Sequence, residues 1–117
     1  MSGANSIDSA FEKEIDLANQ SKINGFASDE WNHLERAHIL GQFFAFKHLH
    51  VHVLMIEYSI RHKLVREFFG QIPRIILAVP GSILKLAPKG NTGGADVGIF
   101  EPMQIPDDLQ KILRGTE

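Results

Sequence analysis

The sequence predicts an all-α domain: two helical hairpins over residues 7–79, an irregular Gly/Pro-rich segment over 80–105 and a short terminal helix over 106–114. Three observations predict it. Apolar residues recur at helical spacing in successive segments, short polar or glycine-bearing corners separate these segments, and glycine and proline crowd into residues 88–106.

In the first segment, residues 7–24, Ile7, Phe11, Ile15 and Ala18 fall on one face with Glu12, Lys13, Asp16 and Asn19 between them. Ser9 with Glu12 forms a capping-box pattern, and Asn5 or Ser6 would cap an earlier start. Asn24-Gly25 supplies the left-handed residue that ends such a helix. The second helix is expected from Ser28, its N-cap, to about Gln42, with Asp29 and Glu30 at the positive end of the dipole. The third, Lys47 to about Arg61, carries two signals. His48-Leu49-His50-Val51-His52-Val53 alternates with period two, a strand signature, but Leu54 to Tyr58 breaks the alternation and no turn residue lies between Lys47 and Lys63. Helix is therefore assigned. The fourth runs from Leu64 to about Val79; Pro73 removes an amide donor and is expected to kink or restart it. Pro106 at a first-turn position, Asp107, Asp108 and the later Gly115 bracket the terminal helix.

At 117 residues the chain can bury one usable core, so residues 1–117 are expected to form a single domain. A 44% apolar and 22% charged composition is that of a globular protein, not a disordered one. The absence of cysteine excludes disulfides, thiolate metal sites and cysteine nucleophiles. Met1 to Asp8 has neither a basic start nor an apolar stretch, and the longest uncharged apolar run, Ile75 to Leu84, is about half of what a bilayer-spanning helix requires. A cytoplasmic domain without a membrane span is expected. Charge is uneven: residues 1–35 hold seven acids and two bases, residues 36–89 eight bases and two acids, and residues 90–117 five acids and two bases. A basic middle of this density reads as solvated surface, and no nucleic-acid partner is expected.

The histidines are the concentrated chemical signal. At about 100° per residue, Glu35, His38 and Gln42 fall on the same stripe of the second helix as Trp31, the only tryptophan, while His33 points to the far side. On the third helix His48, His52, Met55 and Ser59 share a stripe; His50 and Glu57 lie opposite. Two histidines at i, i+4 can reach one metal ion. With only about four residues, Phe43 to Phe46, joining the two helices, they should lie antiparallel and bring Glu35, His38, His48 and His52 together. A three-histidine, one-carboxylate set would suit zinc, nickel, copper or non-haem iron, with affinity falling below about pH 6.5 as imidazole protonates. The same residues also admit a buried polar network bonded through Glu35, Gln42, Ser59 or backbone carbonyls, a haem-type ligand role, or acid–base catalysis. No Glu follows a histidine in the HExxH manner, so no hydrolytic base is indicated.

Other features are plainer. Lys89-Gly90-Asn91-Thr92-Gly93-Gly94 lacks the Lys-Ser/Thr ending of a phosphate-binding loop and has no preceding strand, so it reads as a tight turn. Ser82 has no adjacent base. Phe43-Phe44-Ala45-Phe46 is unusually apolar for a connector and would seat a partner or the C-terminal tail.

The string His33 to Gln42 (HLERAHILGQ), His48-x-x-x-His52-x-x-Met55, Gly70-Gln71, Gly81-Ser82, Gly90 to Gly94 and Pro102-Met103-x-Ile105-Pro106 together resemble a small bacterial family of unknown function, over roughly residues 8–113. The resemblance implies Glu35, His38, His48 and His52 as candidate ligands; His50 and His62 match no recurrent position. It also implies a setting near heavy-metal resistance and cation efflux. The hairpins are similar in size to tetratricopeptide-type repeats of about 34 residues, but most of that repeat's signature residues are missing, and αα-hairpin bundle is the better description.

The expected function is that of a small binding or accessory domain with a buried Glu/His cluster for a transition metal. The alternative is a metal-free protein-interaction module, self-associating or partner-binding through Phe43–Phe46. An enzyme is the least supported class, since no nucleophile or cofactor motif is present.

Overall fold

The structure, a computed structural model, describes residues 3–115. Five helices follow in order: α1 (Gly3–Ile23), α2 (Ala27–Gly41), α3 (Ala45–Arg61), α4 (Val65–Ile83) and α5 (Asp107–Arg114). Among the described residues there is no strand. α1 packs on α2 and α3 on α4, giving two helical hairpins; α2 against α3 joins them, and α5 closes over α1 and α2.

The predicted apolar stripe of α1 is the one that packs: Ile7, Phe11 and Ala18 are buried. Phe11 and Ala18 form one core with Leu34, Ala37 and Leu40 of α2, Val51, Met55 and Tyr58 of α3, and Ile105 and Leu109 from the end of the chain. The 48–53 stretch is helical, and its burial follows the helical period and not the alternation: His48, Val51, His52 and Met55 are buried while His50 and Val53 are exposed.

Several local expectations are corrected. Ser9 and Glu12 lie inside α1, which starts by Gly3, so they form no capping box; Ser6 is also within the helix, and the Asn5 side chain lies outside the described residues. Phe26, not Ser28, is the N-cap of α2, without a side-chain cap bond, because the chain leaves Gly25 (φ +79) straight into the helix. Pro106 is the N-cap of α5 and not its first residue. α4 continues through Pro73 and Pro80 to Ile83. The carbonyls that these prolines leave without an amide partner belong to Phe69 and Ile76, both exposed, so water can satisfy them and the helix does not have to stop.

Residues 84–106 cross back over the α2–α3–α4 junction. Gln42 at the end of α2 clamps this segment, donating from Nε2 to Pro88 O (2.6 Å) and accepting from Gly90 N (3.2 Å). The Asn91 side chain ties the segment to itself, donating to Gly98 O (2.9 Å) and Glu101 O (2.7 Å).

Candidate metal centre

His38 stands in the last turn of α2, and His48 and His52 lie one turn apart on α3. All three are buried. Their rings pack in a triangle with centroids 4.7–4.9 Å apart, and His38 Nε2 lies 3.1 Å from the Nε2 of both His48 and His52.

What lies behind each ring determines what the Nε2 atoms are. His38 Nδ1 donates to Asn91 O at 2.6 Å, a carbonyl that can only accept. His48 Nδ1 donates to Ser82 Oγ (2.8 Å) and Ala78 O (3.1 Å), and the Ser82 hydroxyl spends its own proton on Gln42 O (2.6 Å). His52 Nδ1 donates to Gln71 Oε1 at 2.6 Å. That amide is oriented by its surroundings: Gln71 Nε2 faces Glu67 Oε2 (2.6 Å) and Gly93 O (2.9 Å), which are acceptors, so the oxygen must face His52. Each neutral ring therefore carries its proton on Nδ1 and a bare lone pair on Nε2. The 3.1 Å contacts are lone pair against lone pair, not hydrogen bonds.

Protonation does not relieve this readily. Burial pushes His48 down to about 4. Burial and then the His48 charge push His52 down to about 3, and burial followed by repulsion from His52 and His48 holds His38 well below the usual imidazole range. A cation accepting all three lone pairs resolves the repulsion. Nitrogens at zinc distance in tetrahedral arrangement lie about 3.4 Å apart, close to the spacing found, and the three histidines could hold a metal ion.

The fourth expected residue is elsewhere. Glu35 accepts from Trp31 Nε1 at 3.2 Å, is only partly buried and does not belong to the group whose donor atoms gather within 4.8 Å. Burial and then Asp96 raise its carboxyl above the usual range. Residues not assigned to the site on the sequence hold the rings: the Gln71 and Ser82 side chains and the Asn91 carbonyl, each within one of the short motifs quoted above. The glycine-rich turn is their cover. Gly93 (φ +89) lies against the His38 ring, where an added Cβ would sit 2.6 Å from Cδ2. His50, near the Phe11 ring, and His62, against Tyr58, lie outside the cluster. His33 Nδ1 pairs with the buried Glu14 at 2.7 Å.

Residues 5–113 match the family described as protein of unknown function (DUF3703). The chain belongs to this family. No curated protein and no solved structure matches it. A cavity of about 230 Å³ opens over the exposed side of the triad, and the three histidines form part of its wall. Arg74, Leu77, Leu84, Leu86 and Phe100 supply much of the remainder.

Proposed function

We propose that the protein binds one divalent transition metal ion, with zinc as the reference ion, through the Nε2 atoms of His38, His48 and His52. The observation that carries this reading is the fixed tautomer of all three rings: separate acceptors on α4 and on the 84–106 segment aim three bare nitrogens at one point. Backing of Nδ1 by carbonyls or amides is how proteins orient metal-ligating histidine. Imidazole ligands also suit nickel, copper and iron. A buried three-histidine cage in a small cytoplasmic bacterial domain would serve to hold a metal ion, consistent with the link to metal resistance that the family resemblance implies.

The three ligands leave a fourth coordination position facing the cavity. Among the described residues, the cavity wall includes no carboxylate, and the Ser82 hydroxyl is engaged at both its proton and its lone pair. The arrangement favours holding an ion and a ligand over turning over a substrate.

The test is zinc titration of the metal-stripped protein against a chromophoric chelator, together with thermal melting. One ion per chain is expected. At a hundredfold excess over Kd it would raise the melting temperature by on the order of 10 °C, and His48→Ala/His52→Ala would abolish both effects. Equal shifts in parent and variant would reject the site.

A second reading has its own observation. Phe46 is 82% exposed, with Phe43 and Phe44 also exposed beside it. Such a bend would serve a protein partner or self-association, and a dimer seen in size-exclusion chromatography with and without metal would favour it.

A further inference from the structure

We propose that the cavity over the three histidines binds a small monocarboxylate with an apolar tail, its head placed between the metal ion and Arg74 and its tail along Leu77, Leu84, Leu86 and Phe100. This rests on the metal reading above and names the ligand class of the same site.

Arg74 is a half-buried guanidinium at a cavity wall. Its Nη1 donates to Gly70 O and its Nη2 to Val97 O, both at 2.7 Å. These bonds fix the group in place and use two of its five N–H donors. Among the described residues no carboxylate forms an ion pair with it, and Glu67 and Asp96 act on it only through space. It lines the same cavity as His38, His48 and His52. With a divalent ion on three neutral imidazoles, the inner end of the cavity is strongly cationic and its wall holds no acid. An anion is the complement.

The outer end is different in kind. Leu84, Leu86 and Phe100 are 64%, 63% and 67% exposed and all line this cavity. Ile99 and Pro88 complete an apolar sleeve. Apolar side chains gathered around a cavity with a few convergent polar groups at its base are the build of a small-molecule site. An apolar cavity of about 150 Å³ holds benzene, so 230 Å³ admits a short alkyl chain or a single ring with its carboxylate.

The experiment is calorimetric titration of the zinc-loaded protein with acetate, butyrate, hexanoate and the neutral hexanamide, with zinc occupancy measured separately by chelator competition. Affinity should rise by about fourfold per methylene from acetate to hexanoate, and hexanamide should bind at least tenfold more weakly than hexanoate. Arg74→Met should weaken hexanoate at least tenfold with zinc affinity retained. Phe100→Ser, on the exposed rim, should flatten the chain-length dependence without affecting acetate. With zinc fully bound, equal affinities for acetate and hexanoate, or for hexanoate and hexanamide, would overturn the ligand assignment and leave the metal site standing. Failure of zinc itself to bind would overturn both.

Discussion

Gly93 lies flat against the imidazole of His38. A Cβ at that position would stand 2.6 Å from Cδ2 and 3.0 Å from Nε2, and the residue sits at φ +89, a region that side chains other than glycine's adopt at a cost. The glycine-rich turn thus sets the height of one ring of the triad.

Gly93→Ala should therefore act on the fold and the site together. Backbone strain and the displaced ring should lower stability by about 1–3 kcal/mol, and zinc affinity should fall by at least tenfold. Chemical denaturation and chelator competition measure the two effects. A variant that loses stability but keeps full zinc affinity would show that His38 is not positioned by this contact.

Gln71 is a positioning residue for His52. Replacing it with Met keeps its length but removes the acceptor at 2.6 Å from Nδ1, leaving the His52 tautomer free to change. Zinc affinity should drop about 10–100-fold. Chelator competition measures the loss, and zinc affinity unchanged in Gln71→Met would show that this amide does not set the His52 tautomer.

Glu35→Gln should leave zinc affinity within about twofold of the parent, because the Glu35 carboxylate engages Trp31 and stands apart from the triad. A loss of tenfold or more would return this carboxylate to the ligand set.

Acid should destabilise the metal-free protein over a defined window. Well above pH 6.5 His38, His48 and His52 are neutral whether folded or unfolded. Between that value and about 4 the unfolded chain takes up protons that His48 and His52, held at about 4 and about 3, refuse. The unfolded state then binds more protons, so stability falls as pH falls. Urea midpoints measured from pH 7.5 to 4.5 should decline steadily below pH 6.5, and His48→Ala/His52→Ala should reduce the slope.

Arg36 joins three helices through Glu14 of α1 (Nε to Oε2, 3.0 Å) and Asp108 of α5, and it holds the Asp108 carboxyl below the usual range. Arg36→Ala would leave the buried Glu14 facing the His33 ring without the guanidinium. A loss of about 2–3 kcal/mol is expected in denaturant unfolding, together with loosening of α5 seen as faster amide exchange at Leu109.

Helical periodicity made much of this protein legible in its sequence. The stripe of Ile7, Phe11 and Ala18, the i, i+4 pair His48 and His52, and the turn glycines Gly25 and Gly115 are local consequences of 3.6-residue geometry, and each appears where that geometry put it. The short connector also placed His38 beside them. Local periodicity could not say where Glu35 would point, because Glu35 and His38 stand about 60° apart on the helix, enough to reach two neighbours, and tertiary packing gave Glu35 to Trp31 and His38 to the triad. Nor could it reveal Gln71, Ser82 and Asn91 as the atoms that set the tautomers, since these residues lie 19, 34 and 53 positions from the rings they hold. The direction of a histidine lone pair depends on which acceptor reaches the opposite nitrogen, and in this protein only the return of residues 84–106 and the packing of α4 bring those acceptors into place.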